Sequence, residues 1–236
     1  MLQKHIHYKY LIFYVTAFVL CFLTQEVLLN RLIMLGGRYY VTGGTFIYFV
    51  SPLITDVVAE VYGYQIARQI LWLGLFCILF LAVCTAIVIR LPYPPFWQAD
   101  AHAYSMALNF LFRGTVVGIV AVIIGQFINI YLISKWKILL QGKYFWMRST
   151  GSSIIGDAVT VTISIVFIFW GRVPFSEFSA FLIPELVIMV VFSAAGAVPA
   201  LFLAKLTAKA EGLNNYDVGV NFNPFAFTID EGGDKG

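Results

Sequence analysis

Six apolar runs separated by short polar or aromatic stretches set the pattern of this chain. A helix that crosses a bilayer needs about 20 mostly apolar residues. The runs at 8–29, 66–89, 108–133, 149–170 and 178–204 reach that length, while 44–61 is shorter and ends in polar groups. The pattern predicts an all-α integral membrane protein with six transmembrane helices. It forms a single domain over 1–205, followed by a polar, non-spanning tail over 206–236. The loops at 91–102 and 134–147 are rich in aromatic residues, as interfacial belts require. The first ten residues resemble the start of a signal peptide. The long run behind them carries no small-x-small cleavage site, so it is read as a retained first helix.

Composition agrees with this reading. The chain is 61% hydrophobic and 11% charged, against about 25% charged in soluble domains, and its mean hydropathy is +0.87. A net charge of +3 is too small to point to nucleic acid as a partner. The basic residues divide unevenly. Lys4, Lys9, Arg68, Lys135, Lys137, Lys143, Arg148, Lys205, Lys209 and Lys235 fall on one side, and Arg31, Arg38, Arg90, Arg113 and Arg172 on the other. The positive-inside rule then puts both termini in the cytoplasm.

Ionisable groups inside a span are costly and mark polar pathways or sites. Asp56 and Glu60 close the shortest run, four residues apart and therefore on one helical face, one turn after Pro52. In the fifth run, Ser149, Ser153, Asp157, Thr160 and Ser164 are spaced 4, 4, 3 and 4, which draws one polar stripe along a helix. Gln126 and Asn129 share a face of the fourth run, where they serve either packing or a heteroaromatic ligand. Gly114 and Gly118 read as a small-xxx-small helix contact. Gln25 and Glu26 read as interfacial, Glu185 follows Pro184 at a depth the pattern leaves open, and Arg148 is an interface anchor or the partner of an acid.

Metal, cofactor and enzyme signals are absent from the sequence. Cys21, Cys77 and Cys84 lie in apolar runs, and His5, His7 and His102 form no metal-binding helical pair. There is no Walker loop, no G-x-S-x-G and no H-E-x-x-H. The expectation is a small-molecule transporter embedded in the lipid bilayer, without catalytic residues, metal or cofactor. An intramembrane enzyme is a weaker alternative.

Three blocks carry a family resemblance: Thr55-Asp56-Val57-Val58-Ala59-Glu60-Val61-Tyr62-Gly63-Tyr64, then Phe145-Trp146-Met147-Arg148-Ser149 with Asp157 beyond it, and Tyr216-Asp217 through Asn221-Phe222-Asn223-Pro224-Phe225. Together they resemble the queuosine precursor transporter family, also called the vitamin uptake transporter-like family. The resemblance implies uptake of 7-cyano-7-deazaguanine or a related 7-deazaguanine across the bacterial inner membrane. It also implies a fold similar to the six-helix substrate-binding components of energy-coupling-factor transporters. The alternative is a substrate-capture subunit of an ATP-driven vitamin or nucleobase uptake complex.

A 7-deazaguanine presents a ring N–H beside an exocyclic amine, and a carboxylate accepts both. Asp56, Glu60 and Asp157 are the candidates for that edge, and Gln126 or Asn129 for the carbonyl edge. Tyr64, Trp146 or Phe145 are candidates for stacking on the base, with Arg148 completing the substrate-binding set. Proton coupling through Asp56, Glu60 or Asp157 is a further expectation.

Overall fold

The computed structural model describes residues 8–29, 31–171, 173–213, 217 and 220–225. Lys4, His5, His7, Arg172, Tyr216 and Lys235 lie outside the described residues. Helix α1 (Leu11–Leu28) leads into a hairpin of β1 (Leu32–Leu35) and β2 (Tyr39–Thr42). Then come α2 (Thr45–Tyr48), α3 (Val50–Val61), α4 (Tyr64–Val88), α5 (Gln98–Leu139), α6 (Phe145–Phe169) and α7 (Phe178–Glu211). Of these, α1, α4, α5, α6 and α7 are long and apolar enough to cross a membrane. Large apolar side chains face outward along them, among them Phe13, Leu20, Phe76, Phe80, Ile87, Val120, Val191 and Phe202. Polar side chains such as Asp56, Asn129, Ser149 and Asp157 are buried inside. That inversion is what lipid as a solvent demands.

The run at 44–61 is two helices. Pro52 has no N–H to give the Tyr48 carbonyl, and the helix is interrupted at Phe49. The pair still traverses the bundle, from Thr45 beside Glu185 to Glu60 beside Arg148. The antiparallel hairpin pairs Leu32 with Thr42 and Leu35 with Tyr39 around the turn 36–38, in a stretch for which the sequence reading assigned no element. Helix α5 has 42 residues, or about 63 Å at 1.5 Å per residue, roughly twice a hydrocarbon core. It absorbs the end of the 91–102 loop and the start of the 134–147 loop, so Lys135, Trp136 and Lys137 are helical. The N–H groups of Lys9 and Tyr10 bond the Glu211 carboxylate, which brings the start of α1 and the end of α7 to the same end of the bundle. We call this the tail end, and the opposite one the hairpin end.

Helices α5 and α6 pack backbone to backbone at Gly125 and Gly156. A Cβ on Gly125 would overlap Thr160 Oγ1 and the Gly156 carbonyl, and one on Gly156 would meet the Gly125 carbonyl at 2.6 Å. Gly125→Ala therefore forces the helices apart and is expected to cost about 1–3 kcal/mol, read as a lower melting temperature of the detergent-purified protein. An unchanged melting temperature would mean that the contact relaxes without loss. The Gly114–Gly118 pair has another use, because both residues line a cavity.

The α3–α4 corner turns on Gly63 at φ 92°, a conformation that side-chain-bearing residues rarely adopt. The first N–H of α4, from Tyr64, donates to Asp217 Oδ1 at 2.9 Å. The tail continues as a strap along α4. Arg68 Nη1 donates to the carbonyls of Asn221 (3.3 Å) and Asn223 (2.8 Å), and Trp72 Nε1 to that of Pro224 (2.8 Å). Phe222 packs against Tyr64 and Tyr131, with Lys135 Nζ 4.3 Å from its ring centre. Burial pushes the Asp217 carboxyl up from its ordinary value, opposed by the hydrogen bond from the Tyr64 N–H and by the nearby Ser134 hydroxyl and Lys137 ammonium.

Candidate functional site

Three polar layers stack along the interior, and helical spacing explains their order. At the tail end, Glu60 of α3 meets Arg148 of α6 in a two-pronged pair, Nη1–Oε2 at 2.9 Å and Nη2–Oε1 at 3.1 Å. Arg148 also donates to the carbonyls of Lys143 (3.0 Å) and Gly142 (3.3 Å), tying the α5–α6 turn to α3. Lys137 of α5 donates to the Glu60 carbonyl, and its ammonium is 3.9 Å from Glu60 Oε1. Of its two open roles, Arg148 takes that of the acid's partner; it is fully buried.

One helical turn deeper on α3 lies Asp56, fully buried. It accepts from Asn129 Nδ2 of α5 at 3.0 Å, and from Ser149 and Ser153 of α6. The third layer centres on Asp157. Gln126 Nε2 donates to its Oδ1 at 2.9 Å and to the Tyr48 hydroxyl at 2.9 Å, and that hydroxyl donates to the same Oδ1 at 3.2 Å. Asp157 Oδ2 has no hydrogen-bond partner among the described residues. The two amides predicted to act together therefore serve different acids. Tyr48 joins the layer because the α2–α3 break leaves it facing α5 and α6.

Above Asp157, toward the hairpin end, a cavity of about 90 Å³ lies between α1, α2, α5, α6 and α7. On the same measure one water needs about 10–15 Å³, so the space holds a small cluster of waters. Gln25, Glu26, Thr42, Thr45, Tyr48, Gly118, Thr160, Ser164 and Glu185 are among its walls. Glu185 accepts from the Thr42 N–H (2.9 Å) and from the Thr45 hydroxyl (2.8 Å), fastening the hairpin and α2 to α7. Glu26 Oε2 and Gln25 Oε1 have no hydrogen-bond partner among the described residues. Both side chains are buried, so the interfacial reading of Gln25 and Glu26 is corrected: α5 and the residues after the hairpin cover the end of α1.

A second cavity, of about 460 Å³, opens at the tail end and is lined by Glu60, Lys137, Tyr144, Phe145, Trp146, Lys205 and Leu213, among others. Along α6 the first cavity touches Thr160 and beyond, the second Phe145 and Trp146, and Ser149, Ser153 and Asp157 lie between.

The eight residues expected to bind substrate thus divide. Asp56, Asn129, Gln126 and Asp157 form the two inner layers, and Glu60 and Arg148 the tail-end pair. Trp146 is half-exposed at the tail-end cavity, away from the inner acids. Tyr64 is buried under the strap, its hydroxyl donating to the Phe222 carbonyl at 2.9 Å, which leaves it no free face for a base. The sequence reading missed Gln25, Glu26, Tyr48 and Glu185 as cavity residues. The polar character of all four was visible, but their depth was not.

Residues 42–204 match the family described as "Putative vitamin uptake transporter". The chain is also 27% identical over 164 residues to the queuosine precursor transporter of Escherichia coli (strain K12), covering 69% of this chain and 70% of that one. No solved structure matches the chain. The apolar spans, their buried acids and the family match agree: the chain belongs to the vitamin uptake transporter family and is a multi-pass membrane transporter, not an enzyme.

Proposed function

We propose that this protein imports a 7-deazaguanine precursor of queuosine, 7-cyano-7-deazaguanine or a close relative, across a bacterial inner membrane, and that a proton moves with it. The substrate class rests on the similarity to the queuosine precursor transporter. The observation that carries the transport mechanism is the pair of cavities, one at each end of the bundle, with Asp56 and Asp157 between them. In this reading, substrate enters the hairpin-end cavity, above the Tyr48–Gln126–Asp157 layer, and leaves by the tail-end one.

Asp157 is the proton carrier. Of the three interior acids, Glu60 is held by Arg148, and Asp56 has donors on both oxygens. Asp157 Oδ2 makes no hydrogen bond among the described residues, with the Ser193 hydroxyl of α7 beside the carboxylate. Helical transport domain and strap both belong to this arrangement, with the tail end and both termini in the cytoplasm. Lys9, Arg68, Lys137, Lys143, Lys205 and Lys209 gather at that end, while Arg31, Arg38, Arg90 and Arg113 belong to the other, a distribution that favours this orientation.

Uptake of radiolabelled 7-cyano-7-deazaguanine into proteoliposomes tests both parts. The wild-type protein should accumulate it faster with an acidic exterior, and a protonophore should remove that advantage. Asp157→Asn should lower uptake at least roughly tenfold and flatten its pH response, as loss of a proton-transfer group does. An Asp157→Asn protein with wild-type rate and pH response would take Asp157 out of the coupling. Absence of uptake of any 7-deazaguanine by wild type would sink the cargo assignment.

A further inference from the structure

We infer that Glu26 and Gln25, at the end of α1, form the wall of the hairpin-end cavity that reads the substrate's donor edge, the ring N–H and adjacent 2-amino group of a guanine-like base. The inference rests on the transport of a 7-deazaguanine proposed above and assigns the specificity residues of that site. Glu26 is 7% exposed and Gln25 8% exposed. Both line the cavity, and Glu26 Oε2 and Gln25 Oε1 lack hydrogen-bond partners among the described residues. Buried polar atoms of native proteins almost always find a partner. Here the orphaned atoms are both acceptors, on adjacent residues that line the same cavity. A ligand that satisfies them must bring N–H or O–H donors.

Small residues of α5 sit directly beside Glu26. Gly114 and Gly118 lie one turn apart on α5, and a Cβ on Gly118 would come within 3.3 Å of Glu26 Oε1. A larger residue there would crowd the carboxylate. Other polar groups of the cavity are already engaged, Tyr48 by Gln126 and Asp157. Glu185 holds Thr42 and Thr45, and Thr160 donates to the Gly156 carbonyl at 2.9 Å. Of the interior acids, Asp56 accepts from three donors and Glu60 is held by Arg148, while Asp157 is not among the residues that line this cavity. Among the carboxylates facing this cavity, Glu26 is the one with an oxygen left for a ligand. A carboxylate accepts two parallel N–H bonds from a 2-amino-pyrimidinone edge in the same way as it accepts a guanidinium. The Gln25 carbonyl oxygen can take the second amine hydrogen.

Binding to the full-length, detergent-purified protein tests the assignment. The probes are 7-cyano-7-deazaguanine, the same molecule without its 2-amino group, and the 7-aminomethyl analogue. A site built to receive an N–H rejects a ligand that lacks it, so wild type should bind the 2-amino compound at least roughly tenfold more tightly than the compound without it. Glu26→Gln should weaken binding of the 2-amino compound roughly 10- to 100-fold, the range of a lost charge-assisted pair, while the compound without the amine shifts by less than about threefold. Gln25→Ala should give a smaller loss in the same direction.

The melting temperature of each unliganded variant reports folding. If Glu26→Gln does not fold, Glu26→Asp, which only shortens the reach, carries the test with the same expected pattern. Retention of the wild-type ratio by a folded Glu26 variant overturns this inference and leaves the cargo assignment standing. Loss confined to the 7-aminomethyl compound also overturns it, because Glu26 would then meet an ammonium rather than the ring edge. Failure of wild type to bind any of the three overturns this inference and the cargo assignment together.

Discussion

Arg148→Met is expected to leave little folded protein, destabilising the bundle by about 3–5 kcal/mol, the range for stranding one member of a buried ion pair. Arg148 is fully buried and bonds both Glu60 oxygens and the carbonyls of Gly142 and Lys143. Its removal strands a carboxylate and loosens the α5–α6 turn at once. Lys137 offsets only part of the loss, since its ammonium sits 3.9 Å from Glu60 Oε1. Arg148→Lys keeps the charge but not the planar fork, and it should fall between wild type and Arg148→Met. The double variant Glu60→Gln/Arg148→Met removes the stranded charge and should be more stable than Arg148→Met alone. A melting series in one detergent forms the cycle. If the double variant is no better than the single one, the pair is not the source of the loss.

Asp56→Ala is the second large loss. Asp56 accepts from Asn129, Ser149 and Ser153, and all four side chains are buried. The two serines can turn their hydroxyls to helix carbonyls, as Ser152 does toward Ser149. Asn129 has no such option. Its Oδ1 already lacks a partner among the described residues, and the substitution takes the acceptor from its Nδ2. The expected cost is about 2–4 kcal/mol for unsatisfied buried donors. Asp56→Asn should cost less than half of that, because an amide keeps one oxygen for Asn129 and offers N–H groups to serines that can accept them. Equal melting temperatures for Asp56→Ala and wild type would show that this layer does not hold the bundle together.

Much of the fold was legible because a bilayer permits few solutions. Long apolar runs had to be helices, and 149–170 had to turn its Ser149–Ser153–Asp157–Thr160 stripe inward, which α6 does. The spacing of Asp56 and Glu60 placed them on one face, but no pattern could tell that one meets Asn129 and the other Arg148. That depends on the rotation and depth of α5 and α6. The hairpin had a local signal, two short apolar or aromatic runs around Gly36-Gly37. At the shoulder of a span such runs look like more of the span. Glu26 was misread for a related reason. An acid at the end of an apolar run looks the same whether headgroups or neighbouring helices surround it, and here α5 and the hairpin end of α2 decide. Tyr64 was assigned to substrate because it is aromatic and next to the acidic segment, yet Gly63 turns it toward the strap.

The strap has a consequence for the order in which the molecule is completed. Residue 217 caps α4, and residues 221–224 receive the bonds from Arg68 and Trp72. On a ribosome, α4 enters the membrane long before those partners have been made. The α3–α4 corner, which carries Glu60 at its edge, can reach its final bonding only after α5, α6 and α7 have been synthesised. Assembly is therefore closed from the far end of the chain, by a segment that crosses nothing itself.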